Sequence, residues 1–331
     1  MARPVTLFTG QWADLTLEVM AQKAASFGYD GMELACWGDH VDVYQAAESD
    51  KYCKTRHDLL AQHGLKTWAI SNHLVGQLVG DLNDSRTDDW VPKSCRGKSE
   101  KKRAWAIETM KVTAHAAKNL GVSVVNGFVG SPIWHYVYSF PPVPPAEIEA
   151  GFQRIAELWT PILDEFKKCK VKFALEVHPT EIAFDTVSAA RLLTALKNHP
   201  AFGFNYDPSH FVYQNVDYVG FIREFRQRIF HVHMKDAYLA ATPKRAGVFG
   251  GHTNFGDPDR SWDFRSLGRG SVDFEEIIRA LNDINYQGPL SVEWEDSGMD
   301  REHGAAEACA YVKALDFRPS GRAFDAAFGD K

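Results

Sequence analysis

The chain has 331 residues, of which 45% are hydrophobic and 24% charged, with a formal net charge of −6. That content can bury a large core and sets aside a disordered chain. The acidic balance disfavours a nucleic-acid partner, which selects for a basic face, and no apolar run reaches the length that spans a bilayer.

Five cysteines (Cys36, Cys53, Cys95, Cys169, Cys309) show no C-x-x-C spacing and read as reduced thiols. Met1-Ala2-Arg3-Pro4 leads straight into Val5-Thr6-Leu7-Phe8 without a charged-then-apolar leader, so the expectation is a soluble cytoplasmic protein.

Strand and helix signals alternate from the start. Strand patterns at Val5–Thr9, Gly31–Ala35, Lys66–Ser71 and Ser123–Gly127 are followed by helical spacing at Leu15–Phe27, Lys54–Gln62, Lys101–Leu120 and Ala146–Cys169. The second half repeats the pattern. Strands end at Glu176, Asp207, His233 and Glu293, and helices are predicted over Val187–Lys197, Val219–Arg226, Phe274–Ile284 and Ala305–Leu315. Eight strand–helix units predict one (β/α)8 TIM barrel over residues 1–317, with a tail at 318–331. An open doubly wound sheet is the rival, but Thr9-Gly10-Gln11-Trp12 is not the Gly-rich phosphate turn it usually carries. Three long connections, His73–Ser99, Phe128–Pro145 and Tyr238–Val272, fall on the C-terminal face of such a barrel.

Four consecutive strands of the second half each end in a residue that binds hard metal ions: Glu176, Asp207, His233 and Glu293. Side chains alternate along a strand, so His231 shares a face with His233, and Ser291 with Glu293 and Glu295. Three carboxylates converging inside a barrel repel unless a cation lies between them. The predicted cofactor is therefore one divalent ion held by Glu176, Asp207, His233 and Glu293. The oxygen-rich donors with one imidazole suit Mn²⁺ first, with Mg²⁺, Co²⁺ or Zn²⁺ also accommodated. Internal ion pairing is the bland alternative.

Further polar residues stand at the same face. His210 and Lys235, beside the metal ligands, are candidate substrate contacts, as are His73 and Asn126 at the ends of the third and fourth strands. For Asn126, as for Asn72 and His178, a satisfied hydrogen bond is the competing role. Trp134, His135, Tyr136, Tyr138 and Phe140 form one aromatic rim, and Trp262, Phe264 and Arg265 another; either binds sugar faces or makes a subunit contact. A metal so placed polarises a carbonyl and its neighbouring hydroxyl. A flanking glutamate then removes the adjacent C–H proton to give a cation-stabilised enediolate. Reprotonation yields isomerisation or epimerisation, and loss of a β-leaving group yields elimination.

The stretches Ala174-Leu175-Glu176-Val177-His178-Pro179, Asn205-Tyr206-Asp207-Pro208-Ser209-His210, His231-Val232-His233-Met234-Lys235-Asp236 and Ser291-Val292-Glu293-Trp294-Glu295 resemble the signature strands of xylose isomerase-like TIM barrels. That group includes sugar phosphate isomerases/epimerases, ketose 3-epimerases and inosose dehydratases. The resemblance implies the same four metal ligands, Glu176 and Glu293 as the catalytic proton-transfer pair, and His210 on a substrate oxygen. Ketose 3-epimerases usually have an arginine shortly after the motif histidine, where this chain reads Ala237-Tyr238-Leu239-Ala240. The leading expectation is a metal-dependent carbohydrate isomerase or epimerase. The alternative is a lyase or dehydratase acting on a keto-inositol, 3-keto-glycoside or C-glycoside, with His135 as an extra base. An endonuclease IV-like nuclease and a non-catalytic subunit are the remaining readings. The expected partner is a small carbohydrate, with a homo-oligomer or companion subunit as a further possibility.

Overall fold

The computed structural model describes residues 2–136 and 139–321. Among them ten strands form: β1 (Val5–Phe8), β2 (Gly31–Ala35), β3 (Ala69–Ser71), β4 (Val124–Gly127), β5 (Lys172–Glu176), β6 (Phe202–Tyr206), β7 (Ile229–Met234), β8 (Asp236–Leu239), β9 (Trp262–Arg265) and β10 (Leu290–Val292). Eight of them close a barrel in the order β1-β10-β7-β6-β5-β4-β3-β2, and every neighbouring pair is parallel. These are the eight predicted strands, and the fold is a (β/α)8 barrel. Of the tail expected at 318–331, residues 322–331 lie outside the described residues.

The outer layer comprises α1 (Leu17–Ser26), α2 (Val43–Glu48), α3 (Asp50–Gln62), α4 (His73–Leu78), α5 (Ser99–Asn119), α6 (Pro145–Cys169), α7 (Thr186–Ala195), α8 (Ser209–Val212), α9 (Tyr218–Glu224), α10 (Phe274–Asp283) and α11 (Arg301–Leu315). Local capping explains several boundaries. The Thr16 side chain accepts from Val19 N–H at the start of α1, and Asp185 and Ser188 form a reciprocal capping box on α7. The second connection holds two helices where one was predicted. Asp42 caps α2 and Ser49 caps α3, so each short segment starts on its own acceptor.

Two predicted loops carry structure of their own. His73–Ser99 opens with α4, and Tyr238–Val272 contributes to an antiparallel β8–β9 ribbon. Asp236, at the start of β8, ties the ribbon to the segment that follows β9: its carboxylate accepts the backbone N–H groups of Gly268, Gly270 and Val272 at 3.0, 2.8 and 3.2 Å. A side chain at position 270 would collide there, since a Cβ would fall 2.1 Å from Asp236 Oδ1.

Between barrel and helices lies a close-packed apolar layer. Trp159 of α6 meets Phe173 of β5 at 4.6 Å between ring centroids and donates its indole N–H to Val129 O at 3.0 Å. Both rings are fully buried, and truncating either to Ala would cost about 3–5 kcal/mol. Inside the barrel the usual branched aliphatic layer gives way to a polar one, built from Glu33, Ser71, Asn126, His231 and Ser291. Among the described residues no helix is long and apolar enough to cross a membrane. The five cysteines are free thiols.

Candidate metal centre

Glu176 is the last residue of β5, Asp207 follows β6, His233 lies in β7 and Glu293 follows β10. One donor atom from each of the four lies within 4.8 Å of the other three, and all four residues are buried. Consecutive strand ends therefore deliver three carboxylates and an imidazole to one point.

His233 fixes the polarity of this cluster. Its Nε2 lies 3.0 and 3.1 Å from the two Glu33 carboxylate oxygens. A carboxylate only accepts, so Nε2 carries the proton. The lone pair of Nδ1 then faces Glu293 Oε2 at 2.8 Å and Glu176 Oε2 at 3.1 Å. Phe8 stacks on the ring at 5.3 Å and 23°, holding its plane. Asn205 Nδ2 also lies 3.1 Å from Nδ1, but two carboxylates facing the same lone pair favour a further positive charge there, either a second ring proton or a cation. In the protein alone the proton is favoured: burial lowers the His233 pKa, but Glu33, Glu293 and Glu176 together hold it well above the usual histidine range.

Beneath it, Glu33 is fully buried and saturated. It accepts from Ser71 Oγ, from Asn126 Nδ2 at 2.8 Å, from His231 Nε2 at 2.7 Å, from His233 Nε2 and from Ser291 Oγ at 2.6 Å. Burial opposes its ionisation, yet His233 and His231 hold its carboxyl well below the usual range. Glu33 thus orients His233 as carboxylates orient metal-bound histidines.

The oxygens around the centre are unequal. Among the described residues Asp207 Oδ2 and Glu293 Oε2 are buried without a hydrogen-bond donor. Glu293 Oε2 does lie close to His233 Nδ1, and it lacks a donor whenever that nitrogen is unprotonated, as an ion there would leave it. Its other oxygen is held by Gln11 Nε2 at 2.7 Å and Lys235 Nζ at 3.2 Å. Glu176 meets His73 Nε2 and His210 Nε2, each at 3.1 Å, and Asn205 Nδ2 at 3.2 Å. Two orphaned carboxylate oxygens and one imidazole lone pair around a common point fit a divalent ion.

Burial works against ionisation of Glu293, but Lys235 and then His233 override it and hold the carboxyl down at about 2. Glu176 stays well below the usual range because His210, His233 and His73 outweigh burial. Asp207 goes the other way: burial pushes it up to about 6, with the Glu176 and Glu293 charges adding to the effect against His210 and Lys235. A metal ion must displace that proton. Apparent Mn²⁺ affinity, measured by titration calorimetry, is therefore expected to fall more steeply once pH drops below about 6, towards about a hundredfold per unit, because His233 must give up a proton as well. A flat affinity from pH 5 to 7 would contradict this assignment.

The other sequence-predicted residues separate. His73, His210 and Lys235 reach the cluster directly, and Lys235 also meets Glu295 Oε2 at 3.3 Å and lies 4.3 Å above the Phe264 ring. Asn126 does not face the mouth as a substrate contact should; it is fully buried below, bonded to Glu33. Trp134 and His135 lie on a short turn beyond β4. There Trp134 meets Arg86 at 5.6 Å and exposed His135 packs on Tyr136 at 4.0 Å. Among the described residues no contact joins either to the cluster; Tyr138 lies outside the described residues. The second rim is at the site: Phe264 meets the His210 ring at 5.7 Å, and Trp262 stacks on Tyr213 at 3.8 Å and 9°. Gln11, Asn205 and the Glu33 hub were not anticipated. Asn205 shares a strand face with Asp207, and Glu33 is a charged residue in the middle of apolar β2, so both carried a signal; nothing local marks Gln11.

Residues 21–315 match the family described as xylose isomerase-like TIM barrel. The chain belongs to that family. Among curated members, the inosose dehydratase of Clostridium botulinum is 36% identical over 90 residues, 27% of this chain and 29% of that protein. The Clostridium perfringens inosose dehydratase is 34% identical over the same extent. The match thus spans under a third of the length of these curated relatives. Several solved structures align almost end to end. The probable 3-DHS dehydratase AsbF of Bacillus anthracis has a TM-score of 0.65 at 19% identity, covering 94% of this chain and 98% of the other. The 3-keto-D-glucoside 4-epimerase of E. coli gives 0.64 at 12%, covering 94% and 99%. The D-psicose 3-epimerase of Clostridium cellulolyticum H10, solved with D-tagatose, gives 0.61 at 16%, covering 95% and 99%. At these identities the likeness is one of fold.

Proposed function

We propose that the protein is a divalent-metal-dependent isomerase or epimerase of a keto-sugar or related polyol, with Glu176, Asp207, His233 and Glu293 as the metal ligands. The observation that supports this most directly is the pair of donor-less carboxylate oxygens facing the unprotonated side of His233. A bound Mn²⁺ would supply Lewis acidity to adjacent carbonyl and hydroxyl oxygens.

The chain's own residues then divide the work. Glu293, kept ionised by Lys235 and His233, takes the proton from carbon next to the carbonyl. The C–H electron pair moves into the new C=C bond, and the carbonyl oxygen gains the charge. Glu176, gripped by His73, His210 and Asn205, holds its carboxylate against the opposite side; it takes the proton of the neighbouring substrate hydroxyl and delivers it to carbon in the second half-reaction, while the proton on Glu293 returns to that oxygen. Lys235, buried and kept charged by Glu293 and Glu295 against the effect of burial, steadies developing negative charge at the mouth. The Phe8 and Phe264 rings, packed on His233 and His210, exclude water from this space.

A second reading is elimination of a β-hydroxyl or β-alkoxyl group after the same proton abstraction. The local likeness to inosose dehydratases favours it. So does a cavity of about 480 Å³ beside the centre, bounded by Gln11, Phe255, Phe264, Trp294 and Glu295, which offers room beyond a single sugar ring. The test is incubation in D₂O with ketoses, 3-keto-sugars and keto-inositols, read by NMR. Deuterium at the carbon beside the carbonyl with no group lost supports isomerisation or epimerisation. Release of water or an aglycone shifts the assignment to the lyase. Absence of exchange and of product on every substrate overturns both.

A further inference from the structure

On the outer layer, at the end of the barrel opposite the mouth, three metal-binding side chains meet. His115 stands near the C-terminus of α5, and Glu165 and Cys169 near that of α6. Each helix leads into the start of the next strand, so both ends lie at the face remote from Glu176. Glu165 and Cys169 are four residues apart and share one helix face. His115 reaches across from α5, with Nε2 3.0 Å from Glu165 Oε1 and Nδ1 3.7 Å from Cys169 Sγ. One donor atom from each of the three lies within 4.8 Å of the other two. Tetrahedral zinc holds sulfur at about 2.3 Å and nitrogen at about 2.0 Å, which sets the two donors roughly 3.5 Å apart. The sulfur–nitrogen approach is already near that spacing.

The surroundings permit entry. The His115 side chain is 49% exposed and Glu165 is 21% exposed, while the thiol is buried beneath them. Lys168 holds the other Glu165 oxygen at 2.8 Å, and Oε1 is turned to Nε2, so an ion taken up by Sγ and Nδ1 draws Oε1 across from Nε2. A thiolate, an imidazole and a carboxylate are together softer than the oxygen-rich set at the mouth. They select zinc-like ions over Mn²⁺ and Mg²⁺.

We propose that His115, Glu165 and Cys169 form a second divalent-metal site, selective for Zn²⁺, Cd²⁺ or Co²⁺, that ties α5 to α6, with water in the fourth position. Binding exchanges the Cys169 S–H proton for the ion and releases that proton to solvent, with no change of oxidation state. The proposal is independent of the reaction at the mouth.

Cobalt tests it, because thiolate-bound Co²⁺ absorbs in the near ultraviolet while the centre at the mouth has no thiolate. Titrating Co²⁺ into the reduced full chain is expected to raise this band to saturation, and Zn²⁺ to abolish it by displacement. The band is expected to vanish in Cys169→Ser, to weaken in affinity at least about tenfold in His115→Ala, and to persist in Glu293→Gln. Cys169→Ser is nearly isosteric and His115 is exposed, so both variants fold. No band in the wild type, a band surviving in Cys169→Ser, or an unchanged affinity in His115→Ala would overturn the site.

Discussion

Glu293→Gln and Glu176→Gln are each expected to reduce turnover by at least about 10²–10⁴-fold, the range for losing a positioned acid or base, with circular dichroism and thermal midpoint close to wild type. Glutamine fills the same volume, so no cavity opens. At position 293 the amide cannot accept a proton, while Gln11 and Lys235 keep an oxygen to bond. At position 176 the change removes the anion that faces His73, His210 and His233. In a cluster of converging carboxylates, losing one charge relieves repulsion as well as removing ion pairs, which is why stability is expected to move little. Steady-state rates and solvent-deuterium exchange on the same substrate check this together. Wild-type exchange in either variant would remove that glutamate from the proton-transfer pair.

Exhaustive chelation is expected to abolish activity and added Mn²⁺ to restore it. The physical reason is that the centre's own cations, Lys235 and the protonated His233, leave its converging carboxylates short of positive charge. Apart from Lys235 and the histidines, three carboxylates face one point, and two of their oxygens have no donor among the described residues. The ion-free protein relieves this by protonating His233 and, towards pH 6, Asp207. Both protonations occupy the atoms that metal and substrate need. Because an ion binds the folded chain and not the unfolded one, chelation should also lower the melting temperature. The stabilisation at stake is about 2.7 kcal/mol at an ion concentration a hundred times Kd. Full activity in metal-free protein, verified by elemental analysis, would rule this account out.

The barrel was legible because its signal is periodic. Eight hydrophobic runs of strand length, each followed by helical spacing, leave few topologies. Glu176, Asp207, His233 and Glu293 were legible because a polar residue ending an apolar strand is conspicuous, and four in sequence compound the signal. What escaped depends on closure. Glu33 looks like one more polar strand residue until β2 is brought across the barrel from β7, 198 residues away from His231. Gln11 reaches Glu293 only because β1 and β10 are neighbours in the closed sheet. Trp134 and His135 were misleading for the complementary reason: residues on a long loop are not bound to the strand end that launches them. The ribbon of β8 and β9 was hidden because its anchor, Asp236 beneath three backbone N–H groups, is a tertiary contact with no local pattern.

Anomalous diffraction from Mn²⁺-loaded crystals, collected at the manganese edge, tests the central claim most directly. The account predicts one strong peak per chain at the mouth, with Glu176, Asp207, His233 Nδ1 and Glu293 each about 2.0–2.6 Å from it and Glu33 on the far side of the imidazole. A map with no peak there, or a peak that His233 meets through Nε2, would contradict it.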